Sequence, residues 1–357
     1  MSITIEEVFV AYLDCRKRKR NSPSAIIFES NLANNIRDLC DDLNSGRYDI
    51  GTSRCFAVLN PRPREVWAAS FRDRVVHHVM FNRVGERFIR SFSAGSCACI
   101  TGRGTLYGSN RLEKIIRSGT ENWNKPLYFL KMDISNFFVS IQKDILFDFL
   151  EQKIENKWNL DLTAQILNHD PTSNYIISGN PENLALVPPH KSLFNTPSFM
   201  GLAIGNLSSQ FYANVYMNIL DMYVEHKIKP FGYVRYVDDF ILTDPCIEKL
   251  KDAKDDIEQI LWDRLLLKAN PTKTELNSVY NGVDFVGRVI RPFRTTPRPT
   301  LTNNVLNKIR SGESSAEGVT SSIGLLRQSK SRNIRENVCR MALKAGYSVD
   351  FNLTKVR

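Results

Sequence analysis

The sequence predicts an α+β fold, and three stretches carry that expectation. Leu127-Tyr-Phe-Leu-Lys-Met132 is an apolar strand that ends at Asp133. Tyr233-Val-Arg-Tyr-Val-Asp-Asp-Phe-Ile-Leu242 reads as two β-branched and aromatic strands joined by a short turn at Val237-Asp238-Asp239. After Pro292 the pattern becomes helical, with Val305, Ile309, Ile323, Leu326, Val338 and Met341 among the apolar positions.

Residues 1 to about 50 read as helical: Ile5-Glu-Glu-Val-Phe-Val-Ala-Tyr-Leu13 is periodic, and Ser30 can cap a segment holding Ile36, Leu39 and Leu43 that Gly46 ends. Between them, Arg16-Lys-Arg-Lys-Arg20 is either a solvated helix end or a contact to an anionic backbone. From Arg54 the pattern turns to β. Cys55–Leu59 and Arg64–Ala68 flank Asn60-Pro-Arg-Pro63, whose prolines keep the turn extended and hold Arg62 and Arg64 outward. Phe71–Met80 starts a helix in which Asp73 is expected to pair with a neighbouring arginine, and His77 and His78 to be ordinary helix residues. Gly102-Arg-Gly104 is a turn.

Residues 155–200 are polar and proline-containing, too long for a connector and too poor in periodicity for a domain, and are expected to form an inserted loop. Next, Gly205 lets the backbone approach a nucleotide closely, while Ser208, Ser209 and Gln210 can supply hydrogen bonds at the start of a helix over Phe211–Asp221. Tyr280–Ile290 reads as a hairpin, with Gly282 at its turn and Gly287 where another backbone comes close.

Asp238 and Asp239 carry the chemistry. Like charges on one turn raise each other's pKa unless a cation sits between them. An Asp-rich surface turn is the ordinary alternative, but Asp133, leaving a strand upstream, weighs against it. An aspartate in that position beside an Asp-Asp turn on a neighbouring strand can hold two Mg²⁺ ions for in-line phosphoryl transfer.

A net charge of +10 and a pI near 9.2 favour an anionic partner, nucleic acid before membrane. No apolar run approaches the length that crosses a bilayer and no signal-peptide pattern opens the chain, so a cytoplasmic location is expected. The seven cysteines are scattered, and Cys97 with Cys99 lacks a second pair or clustered histidines for a zinc site.

Asp133 with Phe138 five residues on, Gly205-Asn-Leu-Ser-Ser-Gln210, Tyr236-Val-Asp-Asp239 and Val283-Asp-Phe-Val-Gly287 together resemble the palm of reverse transcriptases. The bacterial branch with diversity-generating retroelement, group II intron and orphan or phage-defence polymerases is the most similar. The likeness runs from about Ala57 to Arg291. It implies a right-hand polymerase: an N-terminal helical segment over 1–52, fingers over 53–125, a ferredoxin-like palm over 126–292 and a small helical thumb over 293–357. The tail is basic, with Lys308, Arg310, Arg327, Lys330, Arg332, Lys355 and Arg357 among its cations and Glu313 among its few acids.

The resemblance assigns roles residue by residue. Asp133, Asp238 and Asp239, with the backbone carbonyl of Ile134, would hold two Mg²⁺, for which Mn²⁺ could substitute. Lys273, with Lys268 as runner-up, would act near the leaving pyrophosphate. Arg62, Arg64 and Asn136 would meet the triphosphate, Phe138 would lie under the sugar and exclude a 2′-hydroxyl, and Gly205 and Gln210 would complete the nucleotide site. Ile204 stands where many relatives carry glutamine, which implies low fidelity. Phe285, Val286 and Gly287 would form the primer grip.

Implied partners are an RNA template in the form of a structured non-coding RNA, a DNA product, deoxynucleoside triphosphates, and an accessory protein or a second copy, with no membrane. No endonuclease, ribonuclease H, maturase or nitrilase-like segment is legible. The role implied is antiphage defence or a diversity-generating element; the alternative is a maturase-like RNA-binding scaffold with secondary catalysis.

Overall fold

The computed structural model describes residues 2–17, 22–60, 62–312, 315–327 and 332–350. Arg18, Lys19 and Arg20 of the basic run, Pro61, and Glu313, Lys330, Lys355 and Arg357 of the tail lie outside the described residues. The chain divides into two units, one from Met1–Ser93, Ile134–Tyr223 and Asp256–Asn270, the other from Ala94–Asp133, Val224–Asp255 and Pro271–Arg357. In chain order the strands are β1 (Ser53–Val58), β2 (Arg64–Ala68), β3 (Tyr128–Met132), β4 (Tyr175–Ile177), β5 (Gly232–Tyr236), β6 (Asp239–Asp244), β7 (Glu275–Ser278), β8 (Val283–Phe285), β9 (Arg288–Arg291) and β10 (Arg294–Pro297).

In the first unit, helix Ile5–Arg16 opens with a capping box between Thr4 and Glu7 and buries Val8, Ala11, Tyr12 and Cys15 along one stripe. It packs on helix Phe71–Ile89. Helix Leu32–Ser45 ends at Gly46, left-handed at φ 71°. Strands β1 and β2 pair antiparallel, and β4 joins β1 in parallel.

Three expectations fail in this unit. The 155–200 stretch is not one irregular loop: Asn156 caps helix Lys157–Asn168, which buries Leu162, Thr163, Ile166 and Leu167, and β4 follows it. The apolar spacing was present but diluted by the proline-rich sequence after it. Asp73 pairs with no arginine in the way expected; its carboxylate accepts from Tyr48 Oη (2.9 Å), Gly51 N (3.1 Å) and Ser70 Oγ (2.6 Å), tying the helix start to the preceding loop. His77 is also more than an ordinary helix residue, being buried 3.3 Å from Ser208 Oγ with its pKa pushed down by burial to about 3, hence neutral.

In the second unit, one sheet has the order β5-β6-β3-β7, antiparallel throughout. Strand β3 is followed by helical chain, then the β5–β6 hairpin, then helix Ile247–Leu265, then β7. That order is ferredoxin-like. Its core gathers Leu112 and Ile116 from helix Thr105–Gly119 with Leu127, Phe129, Val234, Ile241 and Phe285. Strands β8, β9 and β10 form a separate antiparallel meander. Here neither glycine has its expected place. Gly287 lies in the β8–β9 turn with open space around it, whereas a Cβ on Gly282 would meet Arg291 and Val289 side chains at 3.1–3.2 Å. The tail is helical as expected, with Pro299–Arg310, Ala316–Arg327 and Arg332–Lys344 closing on Val305, Ile309, Ile323 and Val338.

Candidate active site

The second unit brings Asp133, Asp238, Asp239 and Lys273 together. Strands β3 and β6 pair Met132 with Phe240, and one further step of that register sets Asp133 across from Asp239. Carboxylates directly opposite on neighbouring strands repel. Two ammonium groups offset this. Lys273 Nζ donates to both oxygens of Asp133 at 2.7 Å, and Lys131 Nζ lies 3.5 Å from Asp239 Oδ2 while donating to the Asp284 carbonyl at 2.7 Å. Sequence reading missed Lys131, although strand alternation places it on the same face as Asp133. Lys268, in the first unit, instead lies over the Trp262 ring at 5.1 Å.

Burial and the Asp133 charge push the Asp238 carboxyl up to about 6; burial raises Asp239 to about 6 as well, with Lys131 opposing it. Asp239 Oδ1 is buried with no hydrogen-bond partner. Among the described residues no three acidic, histidine or cysteine side chains are already drawn into a cage. The donor set nevertheless fits a hard divalent cation: oxygen ligands only, an orphaned carboxylate oxygen, and mutual repulsion that such a charge would relieve.

The turn that presents Asp238 is strained and anchored. Tyr236 pairs with Asp239, leaving a two-residue loop in which Val237 sits at φ 60°. Glycine is the usual occupant there, and a β-branched residue costs on the order of 1–2 kcal/mol. Arg235, fully buried on β5, donates Nη1 to the Val237 carbonyl at 2.9 Å and Nη2 to Ser96 Oγ at 3.1 Å. Cys97 N and Arg235 N further knit this strand to the Gly95–Cys97 segment. Arginine inside an otherwise apolar strand was the available signal for this support.

The residues assigned to the nucleotide, Arg62, Arg64, Asn136, Phe138, Ile204, Gly205 and Gln210, all belong to the first unit, as does Ile134. Arg62 and Arg64 are exposed at the β1–β2 turn. Phe137 is buried, whereas Phe138 is half-buried and meets it edge-on at 5.3 Å. Asn136 precedes them in left-handed backbone, φ 50°. Ile134 bridges to Ala269.

Gly205 also permits a close approach within the chain: a Cβ there would come within 2.7 Å of the Trp67 carbonyl on β2. Trp67 N donates to the Ile204 carbonyl at 2.7 Å, locking that loop to the strand. Ser208 and Ser209 point into the protein and Gln210 is exposed.

A family model for reverse transcriptase (RNA-dependent DNA polymerase) matches residues 61–290. The chain belongs to the reverse transcriptase family. Its α+β architecture is the right-hand polymerase fold of that family, and membership supports RNA-directed DNA polymerase activity. Among solved structures it is similar to telomerase from Candida albicans in complex with a fragment of telomeric RNA, with a TM-score of 0.52 and 11% identity over 83% of this chain. At that identity the likeness is one of fold. The chain spans about half of that telomerase chain, 54%. No curated protein sequence matches it.

Proposed function

We propose that this chain is an RNA-directed DNA polymerase that extends a primer 3′-hydroxyl with deoxynucleotides. The observation that carries this reading is Asp133 facing the Asp238-Asp239 turn across adjacent strands, with both turn carboxyls raised to about 6. Asp133, Asp238 and Asp239 would hold two divalent cations, with the Ile134 carbonyl as a further donor. When bound, Mg²⁺ lowers the pKa of the attacking hydroxyl and neutralises the triphosphate. Lys273, whose ammonium donates to both Asp133 oxygens, would stabilise charge near the leaving pyrophosphate. In the first unit, Arg62, Arg64 and Asn136 receive the triphosphate, Gly205 and Gln210 line the nucleotide, and the half-buried ring of Phe138 excludes a 2′-hydroxyl.

The finer reading is a bacterial enzyme of the diversity-generating, group II-like or phage-defence branch, dedicated to a structured non-coding RNA. Ile204 supports low fidelity, because the polar contact of a glutamine is missing there. Fingers over 53–125, palm over 126–292 and thumb over 293–357 complete the assignment, with Phe285, Val286 and Gly287 as the primer grip. Sequencing the RNA that copurifies with the protein separates a defence role from a diversity-generating one.

Primer extension on an RNA template with deoxynucleotides and Mg²⁺ tests the core of the proposal. Wild type should extend, and Asp238→Asn should lose roughly 10³-fold or more. Equal inactivity of both, with the copurified RNA supplied, would move the assignment to an RNA-binding scaffold. Phe138→Ala should admit ribonucleotides at least about tenfold more readily.

A further inference from the structure

All three two-residue hairpin turns described in the second unit place a bulky residue in backbone that favours glycine: Val237 at φ 60°, Val286 at φ 45° and Phe293 at φ 60°. The first turn presents Asp238 and the second belongs to the assigned primer grip. The third is assigned no role in the reaction. Strained bulky residues cluster at ligand clamps, and the surroundings of Phe293 have the chemistry of one.

Phe293 is 83% exposed, more than any other large apolar side chain among the described residues. Its ring lies 6.2 Å from that of Trp123. Trp123 ends three successive left-handed residues, Glu121, Asn122 and Trp123, at φ 47°, 57° and 73°. This run is held in place: Thr120 Oγ1 accepts from Trp123 N at 2.9 Å, and Tyr280, edge-on to Trp123 at 5.6 Å, donates Oη to the Lys125 carbonyl at 3.1 Å.

Beside the rings lies a cavity of about 370 Å³ bordered by Arg117, Arg291 and Arg294. Arg291 and Arg294 pair directly across β9 and β10, an arrangement that repels unless an anion lies between them. Neither has an ion-pair partner among the described residues. The only acid on the rim, Glu113, already accepts from Thr295 Oγ1 at 3.1 Å.

We propose that this pocket binds single-stranded RNA, with an unpaired base stacked on Trp123 and Phe293 and a flanking phosphate on Arg291 and Arg294. Aromatic rings beside a cationic groove are how proteins hold single strands without reading sequence. The pocket is not part of the polymerisation site. Trp123 precedes β3, whose five residues span roughly 17 Å before Asp133 is reached. The choice of RNA over DNA rests on the reading of the chain as an RNA-directed polymerase, because the DNA product is paired to its template as it forms while the template ahead and its loops are not.

The test uses full-length protein and a short fluorescein-labelled single-stranded RNA, with DNA of the same sequence in parallel and no nucleotides present. Phe293→Ala combined with Arg294→Ala changes two exposed side chains, so the fold should persist, as a thermal melt will verify. RNA affinity should fall roughly tenfold, the salt slope of binding should flatten, and extension of a preformed primer–template duplex at saturation should stay within about twofold. RNA carrying 4-thiouridine should cross-link to peptides holding Trp123 or Phe293.

Unchanged RNA affinity in the folded double variant overturns the proposal, as do cross-links confined elsewhere. DNA that binds as tightly with the same loss overturns the assignment to RNA, and loss of self-association in place of RNA binding would give the face to a second copy instead. If wild type fails to extend primers yet the double variant still loses RNA affinity, the pocket stands and the polymerase reading falls. Extension without any pocket effect is the reverse.

Discussion

Two hairpin turns of one unit, Val237-Asp238 and Pro292-Phe293, hold a bulky residue at the same φ of 60°, yet they are supported in opposite ways. Val237 is braced from behind by a fully buried arginine, and its neighbour Asp238 is a carboxyl raised by burial and by Asp133. Phe293 stands in solvent, where Pro292 presets the turn and two arginines without an ion-pair partner among the described residues flank it. The same local strain is thus compatible with a rigid electrostatic site and with an open stacking surface. What distinguishes them is the charge each neighbourhood holds: carboxylates met by two lysines near one turn, and two arginines without an ion-pair partner among the described residues beside the other.

Removing the brace should separate the turns most sharply. Arg235→Met removes one donor from the Val237 carbonyl and one from Ser96 Oγ and should cost about 2–3 kcal/mol in a denaturant melt, with primer extension lost beyond the stability effect. Arg294→Met, at the exposed turn, should be neutral or slightly stabilising, because it relieves an arginine pair. Equal costs at both turns would break the contrast.

The carboxylate turn should also show a pH dependence the other lacks. Asp238 and Asp239 have folded pKa values of about 6, above their unfolded values near 3.8, so the folded state holds the extra protons. Stability is therefore fullest below about pH 4 as far as these groups are concerned, and it is lost as pH rises through about 6. Without divalent metal, Asp238→Asn should raise stability on the order of 2 kcal/mol at pH 8 and leave it nearly unchanged at pH 4. Mg²⁺ should stabilise wild type at pH 8 and do so less for the variant. A wild-type melt that is flat with pH and insensitive to Mg²⁺ would contradict the geometry of the site.

The smallest expected effect concerns the strain itself. Val237→Gly and Phe293→Gly each remove a disfavoured φ at some cost in unfolded-state entropy, so each should shift stability by under about 1 kcal/mol. Primer extension should fall only for Val237→Gly, and single-stranded RNA binding only for Phe293→Gly. A matched loss of both activities in either variant would mean that the turns act as one surface.

Much of the site was legible because its chemistry is written in contiguous residues. A strand ending in aspartate and a β-branched hairpin carrying two more are local patterns, and alternation fixes which side chains share a face. The support around them was not legible. Arg235 reaching the Val237 carbonyl and Ser96, Lys131 approaching Asp239, and Gly205 fitting under the Trp67 carbonyl each join segments distant in sequence. Helix Lys157–Asn168 was hidden for a different reason, since its twelve residues lie beside a long proline-containing stretch with which they were read as one segment.

By itself the sequence determined the α+β class, the helical tail, the basic character and the three aspartates of the candidate site, because propensity, periodicity and charge are properties of short stretches. Only the tertiary structure decided that Asp133 faces Asp239, that lysines rather than solvent offset their charge, and that Trp123, Phe293 and the paired arginines share one pocket. Strand register and burial set those relations, and both depend on residues far apart in the chain.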